Sequence, residues 1–499
     1  MDLVHYTEQK CRVLSDILFL QAKMQPNECI AIWKQKNYTY QEIYRVASGL
    51  SMKIEEKVGR KKRVGLITSK SIDYLIGYFA IIMAGGQVVP FDQELTAEEI
   101  SREMEYCNIE LLIYNDYFKY KDIIQVAKSI YLTEVSYELY EKKSLNYKYN
   151  TSDINPDKVA LFLHTSGSID KPKRVMLTHR NIIENAKAHV IHMKLAPKDK
   201  VLITLPMHFG YCNTAQMIAH LLLGGTLIIL DGIFSPHKLL NYIEKYRINV
   251  FTAVPTILSQ VLAFKARDKY DLTSVKQITF GGAPIAVEKL EMLSELFKDA
   301  ALCQTYGLTE AGPRVTGVIP QVNKKIDNSV GSALPNVKLI IIKEDGTKAK
   351  PFEIGEIHVK SPGIMKGYYE RGEETLQVIK DGWLSTGDLG YVNNLGELFL
   401  NGRIKNIIIR GGINIYPEEI ETYLMKYEKV KQIIVEGKPH EILGEVPNAR
   451  VVVTDNSITT KDLERFARKG LAKYKIPSFE IVEELEYTYN KKIKRKTSK

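Results

Sequence analysis

At 499 residues the chain is longer than one ordinary hydrophobic core accommodates, so two or more domains, or one large domain with subdomains, are expected. Its 45% hydrophobic and 26% charged residues make a globular composition that excludes intrinsic disorder. The formal net charge of +10 permits acidic partners, but lysines and glutamates alternate along helical faces and no nucleic-acid-binding module is recognisable, so no nucleic-acid role is expected.

Cys11, Cys29, Cys107, Cys212 and Cys303 lie far apart without a C-x-x-C pair, which indicates neither a disulfide framework nor a zinc site and points to a reducing cytoplasm. The first dozen residues lack the basic-then-apolar order of an export signal. The most membrane-like stretch, 74–91, is broken by Gly85, Gly86 and Pro90 and reads as a buried helix followed by a buried strand, so no membrane span is expected.

In chain order, residues 14–49 mix helical apolar spacing with a small extended piece at 31–33, and 40–50 reads as an amphipathic helix. Strands are expected at 63–68, 87–91 and 111–114, separated by helices at 72–83 and 96–105, which is the rhythm of a mostly parallel sheet. A polar, tyrosine- and lysine-rich segment over 137–158 reads as a boundary. A second α/β half follows, with strands at 201–205, 226–230, 250–254, 277–280 and 302–305 and helices at 215–223 and 286–297. From about 337 the texture changes to strands with hairpin turns (337–343, 356–360, 382–388, 396–403), expected to form a distorted antiparallel barrel. Past Arg403 a smaller α/β unit begins, with strands at 406–410, 430–436, 449–454 and 479–482 and helices at 417–427 and 461–471.

The boundary leads into the most chemically suggestive stretch, LFLHTSGSIDKPKRVMLTH at 161–179. A buried strand stops there at a loop in which Thr165, Ser166 and Ser168 offer hydroxyls, Gly167 lets backbone N–H groups approach closely, and Lys171 and Lys173 bring positive charge. That set suits a polyphosphate, although the spacing is not that of a Walker A loop, and an ordinary strand-to-helix connection is the plain alternative.

Together with FGGAP at 280–284, YGLTE at 306–310, STGD at 385–388 and GRIKNIIIRGGINIYPEEIE at 402–421, this loop resembles the adenylate-forming superfamily of acyl-CoA synthetases, luciferases and peptide-synthetase adenylation domains, over essentially the whole chain. The resemblance implies an N-terminal domain (1–403) of two α/β subdomains plus a distorted β-barrel, a mobile α+β C-terminal lid (404–499), and a site between them. It also implies a two-step reaction, in which a carboxylate joins ATP with loss of pyrophosphate and a thiol then attacks the acyl-adenylate.

By position, the resemblance assigns Thr165, Ser166, Gly167, Ser168 and Lys173 to the β- and γ-phosphates, and Gly281, Gly282, Ala283 and Tyr306 to the adenine pocket. Thr309 matches a phosphate-contacting hydroxyl and Glu310 the carboxylate that holds Mg2+, a hard ion for which one carboxylate plus phosphate oxygens suffices. Asp388 and Arg403 match the ribose contacts, Lys405 the hinge, and Lys492 the catalytic lysine, with Lys491 and Lys494 as neighbouring candidates. The chain departs from the family in carrying Ile169, Asp170 and Arg174 where a threonine and two glycines are usual; Arg174 is expected to offset the charge of Asp170.

The acid pocket implied by the resemblance is lined by 206–211, with His208, Phe209 and Gly210, and by Val254, Pro255, Gly307, Leu308, Pro313 and Arg314. His208 is expected either to gate this pocket or to pack within it. Gly210 stands near the place where amino-acid-activating relatives keep an aspartate, so an acid without an α-amino group, fatty or aryl, is favoured. Arg410-Gly411-Gly412-Ile413 resembles the loop lining the thiol tunnel, which suits coenzyme A or a carrier-protein phosphopantetheine. Two alternatives stay open, a stand-alone amino-acid adenylation enzyme loading a carrier protein, and a degenerate member that binds a ligand or partner without turnover.

Overall fold

The structure is a computed structural model and describes residues 10–68, 70–120, 128–165, 173–283, 285–322, 327–455, 457–486 and 495. Among the described residues, four sheets organise the chain. The first has seven strands, in the order Gly367–Tyr368, Lys173–Thr178, Val159–Thr165, Gln87–Pro90, Arg63–Ile67, Leu111–Tyr114 and Ser129–Tyr131. Its middle is parallel, because helices Ile72–Met83 and Ala97–Tyr106 carry the chain back between strands. Beyond Asp73 in its first turn, helix Ile72–Met83 carries no charge and is buried along its whole length, so the membrane-like stretch is a core helix followed by a strand. No helix among the described residues is long and apolar enough to cross a membrane.

The second sheet has nine strands, with the parallel set Ala301–Leu308, Gln277–Gly281, Val250–Ala253, Lys200–Ile203 and Thr226–Ile229 at its centre. Strands Cys29–Trp33 and Lys36–Thr39 complete one edge, so the N-terminal hairpin joins the sheet of the second half, not the first. Ala301–Leu308 turns through Thr309–Ala311 into the antiparallel strand Gly312–Gly317. One large core fills the space between the two sheets, built from helices Leu14–Met24, Tyr40–Val58, Ile72–Met83 and His179–His192.

The segment read as a polar boundary, 137–158, begins inside a helix, Glu134–Lys143. Thr133 caps it by accepting the Ser136 N–H, and Tyr137 and Tyr140 are its buried face. The apolar Val135 and Leu139 of the same helix face solvent, so the two buried tyrosines leave no clean periodicity in the sequence. Gly49 of the facing helix admits the contact, since a Cβ there would stand 1.8 Å from the Tyr140 carbonyl oxygen.

The third sheet is antiparallel, with strands Lys338–Ile342, Gly355–Lys360, Trp383–Val392, Ile379–Lys380 and Leu398–Arg403. The fourth belongs to the smaller C-terminal α+β unit, where Val430–His440 and Gly444–Val453 form its long hairpin. Helices Pro417–Leu424 and Thr460–Ala467 close a separate core around Ile420, Leu424, Val435, Val451 and Leu463. The connection between the two parts runs through the turn Ile404–Asn406, where Asn406 Nδ2 donates to Glu418 Oε1 at 2.8 Å. Gly402 (φ +125°) lies against the same carboxylate, and a Cβ there would stand 2.3 Å from Glu418 Oε2.

Candidate active site

The carboxyl ends of the parallel strands in both large sheets face one cleft of about 2200 Å³, closed on one side by the third sheet and the C-terminal unit. Strand ends are where α/β folds expose side chains without disturbing a ladder, which explains why a site forms there. Thr165 and Lys173 border the cleft from the two sides of one hairpin; Ser166, Gly167, Ser168, Ile169 and Asp170, between them, lie outside the described residues.

Lys173 Nζ is 2.6 Å from Glu374 Oε2 and 4.7 Å from the centre of the Tyr368 ring. The hydrogen bond from Lys173 holds the Glu374 carboxyl below its ordinary pKa. The Tyr368 hydroxyl in turn donates to Glu310 Oε1 at 2.9 Å. Glu374, Lys173, Tyr368 and Glu310 therefore form one chain of contacts along the cleft, with Thr309 beside it on the turn. Glu374 and Tyr368 carry no motif and stand far from Lys173 in sequence, so nothing in the chain pointed to them.

Arg174, the next residue, points the other way because successive strand residues alternate faces. It is fully buried and bonded to Glu103, with Nε 2.8 Å from Oε2, while Nη1 donates to the Pro90 carbonyl at 3.3 Å. Arg174 is thus paired with Glu103 inside the subdomain, while the expectation that it offsets Asp170 falls on a residue outside the described ones.

Gly281, Gly282 and Ala283 line the cleft beyond strand Gln277–Gly281. A Cβ on Gly281 would come within 2.4 Å of the Thr305 carbonyl oxygen, and Gly282 has φ +86°. Tyr306 and Asp388 stand one layer back, buried, with the Tyr306 hydroxyl donating to Asp388 Oδ2 at 2.7 Å. Arg403 borders the cleft and donates through Nε to Asp388 Oδ1 at 2.5 Å, a charge-assisted bond. Lys405 sits exposed at the rim. Lys492 lies outside the described residues, but Arg495 borders the cleft and is held by Glu421 Oε2 at 2.8 Å. The glycine loop at 411–412 is a hairpin turn with both φ values positive and does not border the cleft.

His208, Phe209, Gly210, Val254, Gly307, Leu308, Pro313 and Arg314 all line the cleft. His208 packs edge-on to Phe209, and its Nε2 is 3.7 Å from Asp92 Oδ2, so an acid does stand in the cleft, engaged with this histidine. Asp92 follows the end of a parallel strand, which was the available sequence signal. His164 lies nearby, and burial, then the charges of Arg174 and His208, push its pKa down to about 3, so it is neutral.

Residues 18–369 match the family model described as AMP-binding enzyme, and residues 419–492 the model described as AMP-binding enzyme C-terminal domain. A long-chain-fatty-acid–CoA ligase of Bacillus subtilis is 31% identical, over 99% of this chain and 95% of the relative. The o-succinylbenzoate CoA synthetase of Bacillus subtilis, solved with its acyl-adenylate intermediate, superimposes with a TM-score of 0.85 at 26% identity, over 96% of both chains. The same synthetase solved with ATP and a magnesium ion gives 0.84 at 26% identity, over 96% of this chain and 98% of that one.

Proposed function

We propose, from the premise that this chain belongs to the AMP-binding enzymes of the adenylate-forming superfamily, that it is an AMP-forming ligase joining a carboxylic acid to the thiol of coenzyme A. The observation that carries the reading is the convergence of Lys173, Glu310 and the Asp388–Arg403 pair, from separate sheets, around one cleft. The acid is fatty or aryl in skeleton, as in the relatives named above.

In the first step a substrate carboxylate oxygen attacks the α-phosphorus of ATP and pyrophosphate leaves. Lys173, with Thr165, Ser166, Gly167 and Ser168, is assigned to the β- and γ-phosphates. Gly281, Gly282 and Ala283 let the nucleotide base lie close to backbone, with Tyr306 behind them. Asp388 and Arg403 receive the ribose. Glu310, a hard oxygen donor bordering the cleft beside the Thr309 hydroxyl, suits Mg2+, which when bound neutralises phosphate charge. Lys492 is assigned to the bond-forming centre, where an ammonium steadies charge as the α-phosphorus becomes pentavalent.

In the second step residues 404–499 turn as a lid about Lys405, the thiol attacks the acyl carbonyl and AMP leaves. Coenzyme A is the assigned acceptor, and a carrier-protein phosphopantetheine is the second candidate because it presents the same arm. The cytoplasm is the proposed location, supported by five free cysteine thiols.

Exchange of labelled pyrophosphate into ATP, driven by a panel of fatty, aryl and amino acids, tests the reading, with Lys492→Ala as control. Exchange with a fatty or aryl acid, much reduced in the control, and a CoA thioester on adding CoA are expected. Exchange driven only by amino acids would shift the assignment to carrier loading, and ATP binding without exchange to a non-catalytic binder.

A further inference from the structure

Among the described residues two arginines are fully buried, and they differ in character. Arg174 is neutralised by Glu103 from the same subdomain. Arg314, on strand Gly312–Gly317, borders the cleft, and no carboxylate among the described residues lies within ion-pair distance of it. Its Nη1 donates to the Pro313 carbonyl at 3.1 Å, but Nε and Nη2, both buried, have no hydrogen-bond partner. The guanidinium stands over Tyr211, 4.1 Å from the ring centre, and Tyr211 is itself oriented by a 3.2 Å contact between its hydroxyl and Thr305 Oγ1.

Of the elements packed on this strand, the turn Thr309–Ala311 carries a carboxylate, Glu310, but it is engaged by Tyr368 and lies outside ion-pair distance of Arg314. Helix His179–His192 contributes His189 and His192, both held neutral by burial, and Arg314 itself helps to depress His189. The π-helical turn Asn213–Ile218 contributes Asn213 and Gln216, amides whose buried oxygens are unpaired. π-turns of this kind recur at functional sites. A desolvated guanidinium is costly without an anion, and its planar fork matches a carboxylate with two parallel N–H···O bonds. Arg314 stands on the part of the cleft lined by Gly307, Leu308, Pro313 and Tyr211.

We propose that the acid substrate is a dicarboxylic acid, whose reacting carboxylate meets ATP while its second carboxylate pairs with Arg314 against the face of Tyr211. This rests on the ligase reading and narrows it, from fatty or aryl acids in general to those bearing a second carboxylate.

The test compares each acid of a panel with its own monomethyl ester: straight-chain α,ω-diacids of four to ten carbons and the three benzenedicarboxylic acids. Full-length protein is used, with two readouts, pyrophosphate exchange and calorimetric binding of the acid. At least one diacid is expected to surpass its half ester ten-fold or more in both. That preference falls below two-fold in Arg314→Met and is partly kept in Arg314→Lys. Equal response to diacid and half ester, or an Arg314→Met variant that weakens both alike, overturns the assignment.

Exchange without discrimination removes the subsite and leaves the ligase. Discrimination in binding without exchange keeps the subsite and removes the ligase, and silence in both removes both. The comparison in unaltered protein needs no variant, and Tyr211→Leu, expected to reduce the preference at least three-fold, stands in if Arg314→Met does not fold.

Discussion

Replacing Glu103 by leucine isolates the buried pair behind the phosphate-loop hairpin. Arg174 is wholly buried and the Glu103 side chain is 10% exposed, so water cannot take the place of the lost carboxylate. The other contacts of Arg174 include the Pro90 carbonyl and the face of Phe91, 5.2 Å away, neither of which carries a charge. Breaking a buried pair from one side typically costs about 3–5 kcal/mol, whereas replacing both partners by apolar groups is often neutral or stabilising. Glu103→Leu is therefore expected to lose about 3–5 kcal/mol, and Glu103→Leu/Arg174→Met to lie within about 1 kcal/mol of the unaltered protein. Urea unfolding followed by far-ultraviolet circular dichroism measures the cycle, and hydrogen exchange in strand Lys173–Thr178 reports whether the loss is local to the hairpin. A single variant costing less than about 1 kcal/mol, or a double variant as damaged as the sum of the singles, would refute the reasoning.

Three further outcomes are expected. Burial pushes His179 down to about 4, and its Nδ1 accepts the Leu14 N–H at 3.3 Å, a role the protonated ring cannot fill. The unfolded chain takes up this proton first, so stability falls as pH drops from about 6.5 towards 4, by roughly 3 kcal/mol from this group; the urea midpoint of His179→Gln should fall less over that range, and parallel profiles would count against the argument. A methyl at Gly307 would stand 2.3 Å from the Pro313 carbonyl oxygen, so Gly307→Ala should cost about 1–3 kcal/mol and raise KM for the acid far more than KM for ATP. Asp388→Asn keeps the shape but removes the charge facing Arg403; losing a bond to a charged group, about 1.5–3 kcal/mol, should raise KM for ATP by one to two orders of magnitude, and an unchanged value would dissociate this pair from the nucleotide.

Much of this molecule could be read from its residues because two periodicities run cleanly through it. Helix Ile72–Met83 and strand Leu111–Tyr114 occur at the residues expected, since a continuous apolar run and turn residues bound each. The rim glycines and the Asp388–Arg403 pair were legible as motifs. What escaped depended on contacts across long stretches of chain. Arg174 was read as a counter-charge for Asp170, yet strand alternation sends it to the face opposite Lys173, where it meets Glu103, seventy-one residues away. The acid pocket was read as suiting a fatty or aryl acid, because nothing in sequence shows whether Arg314 has a partner. The Tyr368 and Glu374 contacts were invisible for the same reason.

The grip of Glu418 on the connection at Gly402 and Asn406 bears on how the two parts of the chain are coupled. A turn about Lys405 of the kind proposed would carry Asn406 and Glu418 together, so their bond survives, and would draw Gly402 away from the carboxylate now pressed against it. What is lost at Gly402 is close packing, and water gains access to Glu418 Oε2, which has no hydrogen-bond partner where it is buried. The Asn406–Glu418 bond therefore stiffens the start of the lid instead of tying the two parts together. The pivot is confined to the few residues between Gly402 and Asn406, and everything beyond them moves as one piece.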